Sequence, residues 1–380
     1  MDTGLLEPGP ALSDCKTVER AAKKPPLPAL TGIRTLLAIN IVLFHFTPPY
    51  LGILRPMVEN GFVFVNVFFL ISGFVLTYNY ADRADTLRKR DFWRARFARL
   101  YPVYLLVLVL SYWMLPVEWN ARPHAEFWEG LFLSPLLLQG WSPSVATFWN
   151  TVAWTLSCEV SFYALFPWLI RVRWPRKASL LVLLMLGLWV INMSPALLYL
   201  RMNPDHIIGP ITRYSSTPWI RFLKFTPLPY AATFLAGMTL ARLQMVTLIS
   251  ERARARVAVI ALAGLALFFA YGAPRAPYLL LHGGLLLPLF ATLIFGLCGT
   301  NRIASVFAWK PLLLIGESSY CLYLLHFNVY IMIHNMRIPE MLHVERWDPW
   351  ISYAMLIGLS LAVYRYVENP VRRWILKRPR

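Results

Sequence analysis

Two ionisable residues in one apolar segment have the types and the spacing needed for proton transfer inside a membrane. The segment ALTGIRTLLAINIVLFHF contains Arg34 and His45, eleven residues apart. In an α-helix, eleven steps of about 100° make three turns plus about 20°, so both side chains lie on one face, roughly 16 Å apart along the axis. The permanently charged guanidinium of Arg34 would thus lie on the same helix face as the titratable imidazole of His45. The structural alternative is a snorkelling arginine and a histidine that hydrogen-bonds a neighbouring helix.

Two further apolar segments contain polar groups that are costly at membrane depth. Glu159 lies near the middle of WTLSCEVSFYALFPW, where a carboxylate is protonated or paired with a cation. A structural ion pair is therefore the alternative to a functional group at this position. The segment GESSYCLYLLHFNVY contains hydroxyl groups at Ser319, Tyr320 and Tyr323 and an imidazole at His326. Tyrosines in spans often only pack, whereas an imidazole near the middle of a span indicates a functional group.

A basic segment precedes another apolar run. In RARFARLYP, Arg94, Arg96 and Arg99 lie just before a Tyr-Pro pair. Basic residues are expected in the cytoplasmic loops of any membrane protein, so this segment alone is weak evidence. Together with Arg34, these guanidinium groups would form a cationic mouth suited to phosphates.

The composition defines the setting of these residues. The chain has 380 residues, of which 58% are hydrophobic and 15% charged, whereas soluble domains carry about 25% charged residues. A soluble enzyme and a disordered chain are excluded. The sequence predicts an all-α integral membrane protein with about ten transmembrane helices of roughly 17–25 residues each. The predicted spans lie near residues 31–48, 62–80, 100–115, 149–170, 178–200, 227–243, 256–272, 278–298, 312–334 and 350–367.

The distribution of Lys and Arg predicts the orientation of these helices, because cytoplasmic loops concentrate basic residues. A short apolar piece at 127–140, interrupted by Ser134-Pro135, is predicted to be re-entrant or interfacial. Both termini are then cytoplasmic, and 26 of the 37 basic residues lie inside, 9 outside and 2 within helices. The net charge of +18 thus reflects orientation in the plasma membrane, and no nucleic-acid binding is expected.

Three regions follow from this pattern. Residues 1–27 are predicted to form a disordered cytoplasmic tail, residues 28–372 the transmembrane domain, and residues 373–380 a basic cytoplasmic tail. The cysteines are too few and too scattered for a disulfide framework or a metal cluster, so no metal site is predicted. They are Cys15, Cys158, Cys298 and Cys321.

Six segments in order resemble the acyltransferase-3 family of integral membrane O-acyltransferases. They are LTGIRTLLAINIVLFHF, FVNVFFLISGFVLTY, RARFARLYP, WTLSCEVSFY, SYCLYLLH and VENP, and they extend over about residues 28–372. Two positions depart from the family pattern, with Thr31 where Asp is common and Cys158 where a small or aliphatic residue is usual. The chain resembles the stand-alone type, without the extracytoplasmic esterase-like domain of some relatives.

The resemblance implies an activity and its partners. Family members move an acyl group, usually from cytosolic acyl-CoA, to a hydroxyl of a carbohydrate or another acceptor. Acyl-CoA, with acetyl-CoA as the default, is therefore the expected co-substrate, and no tightly bound cofactor is expected. The other expected partners are the lipid bilayer and a carbohydrate, glycolipid or other hydroxyl acceptor.

The resemblance also implies roles for individual residues. His45 is implied as the catalytic base, and Glu159 as the family's intramembrane carboxylate, with a catalytic or a structural role. The implied donor-binding residues are Arg34, Arg94, Arg96 and Arg99. The late motif matches Ser319, Tyr320, Tyr323 and His326, which are candidates for contacting substrate or stabilising an oxyanion.

Two mechanisms and one rival class stay open at this stage. His45 could deprotonate the acceptor hydroxyl or carry the acyl group itself. A proton-coupled transporter or exporter is the rival, because intramembrane His, Glu and Arg also suit translocation, although no inverted repeat is visible. The outward loop 201–226 could shape the choice of acceptor, but a solvated loop is the simpler interpretation. Its polar residues include Asp205, His206, Arg213 and Arg221.

Overall fold

The computed structural model describes residues 24–377, and the regular elements in this range are all helical. Most of the predicted tail at 1–27, Cys15, and residues 378–380 of the predicted basic tail lie outside the described residues. The other three cysteines are buried and unpaired. The α-helices are α1 (Pro28–His45), α2 (Arg55–Glu59), α3 (Phe64–Tyr80), α4 (Lys89–Leu110), α5 (Met114–Ala121), α6 (His124–Leu133), α7 (Trp154–Leu169), α8 (Ala178–Met202), α9 (Pro218–Phe225), α10 (Leu228–Val246), α11 (Glu251–Leu267), α12 (Tyr278–His282), α13 (Leu287–Leu297), α14 (Arg302–Phe307), α15 (Lys310–Glu317), α16 (Ser319–Asn335), α17 (Ile338–Met341), α18 (Trp350–Val363) and α19 (Asn369–Lys377).

Six helical segments are long and apolar enough to cross a membrane. They are Pro28–His45, Gly61–Arg83, Ala178–Met202, Glu251–Gly272, Tyr278–Leu297 and Trp350–Lys377. Two bent pairs, α4 with α5 and α15 with α16, also qualify if each is one span, and their bends are 75° and 65°. The two remaining predicted spans fall on α7, which has only 16 residues, and on α10, which is less apolar. Within residues 24–377 the chain is therefore a helical membrane protein with six to eight candidate spans.

The short piece at 127–140 is not among the candidate spans. It begins as α6, whose ten residues extend about 15 Å, half of the hydrocarbon thickness. The chain then turns back, with Leu137 in the left-handed region at φ 58°. Two tyrosines of α4 hold the turn, because the hydroxyl of Tyr104 donates to the Ser134 carbonyl at 2.6 Å and that of Tyr101 donates to the Pro135 carbonyl at 2.8 Å. The predicted non-spanning segment is thus a helix and turn packed on α4.

Helix α1 packs closely on the bent pair formed by α15 and α16. A Cβ atom at Gly316 would lie 2.1 Å from the Thr31 carbonyl oxygen, so the two backbones are in contact there. Next to Arg34, the Thr35 hydroxyl donates to the Leu312 carbonyl of α15. These contacts hold the beginning of α1, which we call its arginine end; the other end, at His45, is its histidine end.

Helices α3 and α10 form a second close crossing. A Cβ atom at Gly73 would lie 2.1 Å from the Phe234 carbonyl oxygen, and one at Gly237 would lie 2.1 Å from that of Leu70. Small residues that let two helix backbones touch are typical of membrane helix pairs. This crossing fixes α3, which forms one wall of the cavity described next.

Candidate active site

A cavity of about 100 Å³, counted as the space open to the centre of a water molecule, lies between α1, α3, α4, α7 and α16. Its wall brings together seven of the residues predicted from the sequence: Arg34, Arg96, Arg99, Glu159, Ser319, Tyr320 and Tyr323. Most of the other lining residues are apolar, among them Val65, Phe68, Phe69 and Ile71. An apolar cleft with a few converging polar groups is typical of a ligand-binding site.

Glu159 lies in a hydrogen-bonded group on this wall. The Ser72 hydroxyl is 2.9 Å from Glu159 Oε1 and 2.9 Å from the Tyr163 hydroxyl, and Tyr163 also donates to Glu159. The guanidinium groups of Arg34 and Arg99 are near enough to act on the carboxylate electrostatically. Glu159 is thus part of the cavity, and no hydrogen bond among the described residues joins it to His45. Ser72 was missed by the sequence analysis, because a serine in an apolar run is a weak signal.

Three guanidinium groups line the cavity together with one carboxylate, and a second, buried carboxylate at Glu368 is near enough to act electrostatically on two of them. The Arg96 guanidinium lies 5.7 Å from the ring centroid of Phe92 and 5.9 Å from that of Tyr163. Its Nε atom is buried and has no hydrogen-bond partner among the described residues. An excess of cations around an open cavity, with a donor still free, favours binding of an anion such as a phosphate.

The structure places Arg94 away from the cavity. Its guanidinium donates to the Ile375 carbonyl of α19. Arg96 and Arg99 are three residues apart and share one helix face, whereas Arg94 is about 200° from Arg96 around the axis. The predicted arginine mouth therefore consists of Arg34, Arg96 and Arg99.

The hydroxyl groups of α16 differ in availability. The Tyr320 hydroxyl donates to the Leu100 carbonyl at 2.6 Å. The Tyr323 hydroxyl accepts from Thr155 Oγ1 at 3.1 Å and is 3.4 Å from the Val152 carbonyl. The Ser319 hydroxyl is buried and has no partner in the part of the chain that the structure describes. A donor for an oxyanion must be free, so the two tyrosine hydroxyls are less suited to that role than the sequence suggested.

His45 and His326 are neighbours at the histidine end of α1. Their ring centroids are 5.2 Å apart, and the ring of Phe327 lies 5.2 Å from that of His45. His326 is fully buried, and its Nδ1 is 2.7 Å from the Tyr323 carbonyl oxygen. A carbonyl can only accept, so Nδ1 is the protonated nitrogen and Nε2 of the neutral ring has a free lone pair. That Nε2 atom is buried without a hydrogen-bond partner among residues 24–377.

The two parts of the site meet at Tyr323. Its ring lines the cavity, lies 6.1 Å from the Phe68 ring, and is 5.8 Å from the His326 ring. Ser319, Tyr323 and His326 are spaced so that they share one face of α16. Because Arg34 and Ser319 line the cavity while His45 contacts His326, α1 and α16 run in the same direction. His45 and His326 do not line the arginine-containing cavity, and Tyr323 is the lining residue whose ring lies next to His326.

A residue of the loop 201–226, for which solvation was the simpler interpretation, also reaches this site. The Arg213 guanidinium lies 4.2 Å from the Phe44 ring centroid, and its Nη1 donates to the Phe44 carbonyl at 3.2 Å. It is near enough to His45 to act on the imidazole electrostatically. Other loop residues, such as Ile208 and Tyr214, are exposed. The contact joins residues 169 positions apart, so spacing in the sequence gives no sign of it.

The sequence matches a family model described as an acyltransferase domain over residues 27–364. The chain therefore belongs to the acyltransferase-3 family of membrane proteins, as its motifs indicated, and it is an acyltransferase. Within the described residues, no group of three or more His, Cys, Asp or Glu could hold a metal ion.

Three relatives show the breadth of the similarity. Acyltransferase MdmB of Streptomyces mycarofaciens is 27% identical, and the alignment covers 93% of this chain and 93% of that protein. O-acetyltransferase OatA of Staphylococcus aureus is 24% identical over 95% of this chain but 59% of its own length. Peptidoglycan O-acetyltransferase OatA of Listeria monocytogenes is 23% identical over 91% of this chain and 56% of its own length. No solved structure matches this chain.

Proposed function

We propose that this acyltransferase moves an acyl group, acetyl in the first instance, from acyl-CoA to a hydroxyl of a carbohydrate or glycoside, with His45 as the base. The proximity of His45 to His326, next to the Tyr323 ring that lines the arginine-containing cavity, carries the proposal. Two of the relatives are named as O-acetyltransferases, one of them for peptidoglycan, and this supports transfer to oxygen on a carbohydrate.

The proposed orientation places the arginine end of α1 at the cytosol, in a plasma membrane crossed ten times. The positive-inside pattern supports it, with 26 basic residues inside and 9 outside. Helices α7 and α10 complete the ten spans in this proposal, as the fourth and the sixth in chain order. Cytosolic acyl-CoA then meets the arginines, and the acceptor meets His45 from the other face.

The donor would bind along the stripe from Arg34 to His45. Phosphates of CoA fit the guanidinium groups of Arg34, Arg96 and Arg99, which can form charge-assisted hydrogen bonds. Arg34 and His45 are roughly 16 Å apart along α1, on the order of the reach of the pantetheine arm. Glu159, bonded to Ser72 and Tyr163, would fix the shape of the donor cavity rather than take part in proton transfer.

In the proposed reaction His45 accepts the proton of the acceptor hydroxyl while the oxygen attacks the thioester carbonyl carbon. The carbon–sulfur bond then breaks, the ester forms, and His45 returns the proton to the thiolate of CoA. The free Nε2 of His326 would accept a hydrogen bond from the N–H of His45 and so turn its other nitrogen toward the acceptor. That bond would also satisfy a buried acceptor that otherwise costs about 1–3 kcal/mol.

The test compares the wild type with His45→Ala and with a matched control, His124→Ala. His124 is exposed at the start of α6 and stacks on Trp119. Membranes containing each protein receive radiolabelled acetyl-CoA and a glycan extract of the host. We expect label in a hydroxyl ester with the wild type and with His124→Ala, and a loss on the order of 100-fold or more with His45→Ala. Undiminished transfer by His45→Ala would overturn the assignment of the base.

A further inference from the structure

The end of α1 that carries His45 is held from two sides. From the loop between α8 and α9, Arg213 donates to the Phe44 carbonyl and packs on the Phe44 ring. From α18, the Tyr353 hydroxyl donates to the Phe46 carbonyl. His45 lies between these two residues, so the two hydrogen bonds hold the backbone immediately before and immediately after His45.

Arg213 is itself fastened by a buried lysine. Lys224 of α9 is only 4% exposed, and its Nζ donates to the carbonyls of Arg213 at 2.9 Å and Ser215 at 3.2 Å. The Nζ atom also lies 5.4 Å from the Tyr278 ring centroid. One buried ammonium thus fixes the segment that presents Arg213 to α1.

Holding Arg213 with a buried lysine costs electrostatic free energy, and a function for Arg213 would account for that cost. Burial, followed by the fields of Arg213 and Arg221, lowers the pKa of Lys224 to about 8. Among the described residues, no carboxylate lies within 4.0 Å of Arg213 or Lys224. A neutral side chain could tie down a loop at lower electrostatic cost. A guanidinium can hydrogen-bond the last carbonyls of a helix, where a cation is favoured. Because it is planar, it can stack on an aromatic ring at the same time.

The Phe44 ring connects Arg213 to His45, the proposed base. It contacts the Arg213 guanidinium on one part of its surface and lies 5.0 Å, edge to face, from the His45 ring. A shift of Arg213 therefore changes both the carbonyl that ends α1 and the ring against which the imidazole packs. The donor arginines are at the opposite end of α1 and do not share these contacts.

We propose that Arg213 is a positioning residue through which the outward loop holds His45 in its reactive orientation, on the side where the acceptor enters. The proposal rests on the assignment of His45 as the base. A misplacement on the order of 1 Å can lower a rate about 100-fold, so the loop contributes to turnover and not to binding of the donor.

The test measures kcat and the KM for acetyl-CoA in detergent-purified full-length protein. The variants are Arg213→Gln, Arg213→Lys and, as a control, Arg55→Gln, which removes an exposed arginine that pairs with Glu59. We expect Arg213→Gln to lower kcat about 10-fold to 100-fold with an unchanged KM for acetyl-CoA. Arg213→Lys should recover part of the loss because it keeps the charge, and Arg55→Gln should match the wild type.

Two further variants separate the possible failures. Lys224→Met loosens the same segment without touching α1, and we expect it to lower kcat by a smaller factor than Arg213→Gln. It serves as the test if Arg213→Gln cannot be purified in a folded state. A wild-type kcat in either variant, or a raised KM for acetyl-CoA at unchanged kcat, would overturn the role of Arg213. His45→Ala is measured in parallel. If His45→Ala is inactive and Arg213→Gln is fully active, only the positioning role of Arg213 is rejected. If His45→Ala is active, the assignment of His45 as the base is rejected.

Discussion

Two buried histidines differ in whether their ring nitrogens are satisfied. In His282, Nδ1 is 3.0 Å from the Tyr230 hydroxyl and Nε2 is 3.1 Å from the Tyr278 hydroxyl. In His326, Nδ1 is bonded but Nε2 is not. A buried polar atom without a partner is rare and requires an explanation. We infer that His282 is structural and that the free nitrogen of His326 is used when substrates are bound.

Amide side chains can test this difference at His326. Asn can replace the Nδ1–H that donates to Tyr323 but provides nothing at the position of Nε2, whereas Gln can place an oxygen near that position. We expect His326→Asn to lower the rate of CoA release, at saturating acceptor, on the order of 100-fold, and His326→Gln to lose less. Thiol release is followed with a chromogenic reagent.

His282→Asn serves as the comparison for this experiment. It breaks a satisfied pair of hydrogen bonds, so it should lower the thermal unfolding temperature and leave the activity per folded molecule nearly unchanged. Equal rates for His326→Asn and the wild type would show that the free nitrogen has no part in turnover.

The sequence predicted part of this site because part of it depends on spacing within one helix. Arg34 and His45 share a face of α1, and Ser319, Tyr323 and His326 share a face of α16, as helical periodicity requires. Arg213 was not predicted as a site residue, because its contact with Phe44 depends on how a distant loop folds over α1.

At the scale of elements, close helix crossings set the shape of the cavity. Gly73 and Gly237 let the backbones of α3 and α10 touch, and α3 carries Phe68 and Ser72 on the cavity wall. A side chain at the crossing would push α3 away from α10. Ser72 would then shift, and Glu159 would lose the hydrogen bond that the Ser72 hydroxyl donates.

Replacing glycine by alanine at two sites separates packing from helix propensity. In Gly237→Ala the new Cβ would lie 2.1 Å from the Leu70 carbonyl oxygen, and overpacking of this kind costs about 1–3 kcal/mol. Gly187 of α8 has nothing within 4 Å of the equivalent position, so Gly187→Ala should be neutral or stabilise by roughly 0.5–1 kcal/mol. Thermal unfolding in detergent measures both. A Gly237→Ala protein as stable as Gly187→Ala would show that the crossing can relax.

Hydropathy located the helices better than their bends. Each predicted span falls on a helix or a helix pair, because long apolar runs must satisfy their backbone groups internally. The 75° and 65° breaks were not predicted. At the second break the Ser318 hydroxyl donates to the Ile315 carbonyl at 3.0 Å, and α15 is held against α1. Such bends depend on tertiary contacts that do not alter the average hydropathy of the run.

At the scale of the whole molecule, the proposed reaction requires that the two ends of α1 face opposite sides of the membrane. Orientation was inferred from the charge of short loops, and the non-spanning piece at 127–140 determines the sidedness of everything after it. If that piece crossed the membrane, the basic loop at 171–177 would lie outside.

Single cysteines at exposed loop positions test this sidedness. Arg176 and Arg275 are both exposed, and the proposed topology places Arg176 inside and Arg275 outside. A membrane-impermeant maleimide should label Arg275→Cys in intact cells, and should label Arg176→Cys only after permeabilisation. The wild type, whose described cysteines are all buried, gives the background. Labelling of Arg176→Cys in intact cells would reverse the topology.

The ring of Tyr323 has a consequence for the electrical integrity of the membrane. Proton relays across bilayers are chains of titratable side chains, and this protein has Glu159 in its cavity and His45 with His326 at the other end of α1. The Tyr323 ring lines the cavity next to His326, and its hydroxyl contacts Thr155 and the Val152 carbonyl. Among the described residues, no hydrogen bond joins the Glu159 group to the Tyr323 hydroxyl, and the His326 ring bonds only the backbone carbonyl of Tyr323. In the proposed reaction the pantetheine arm carries the acyl group past this ring, and we expect the protein to conduct no protons across the bilayer when donor and acceptor are absent.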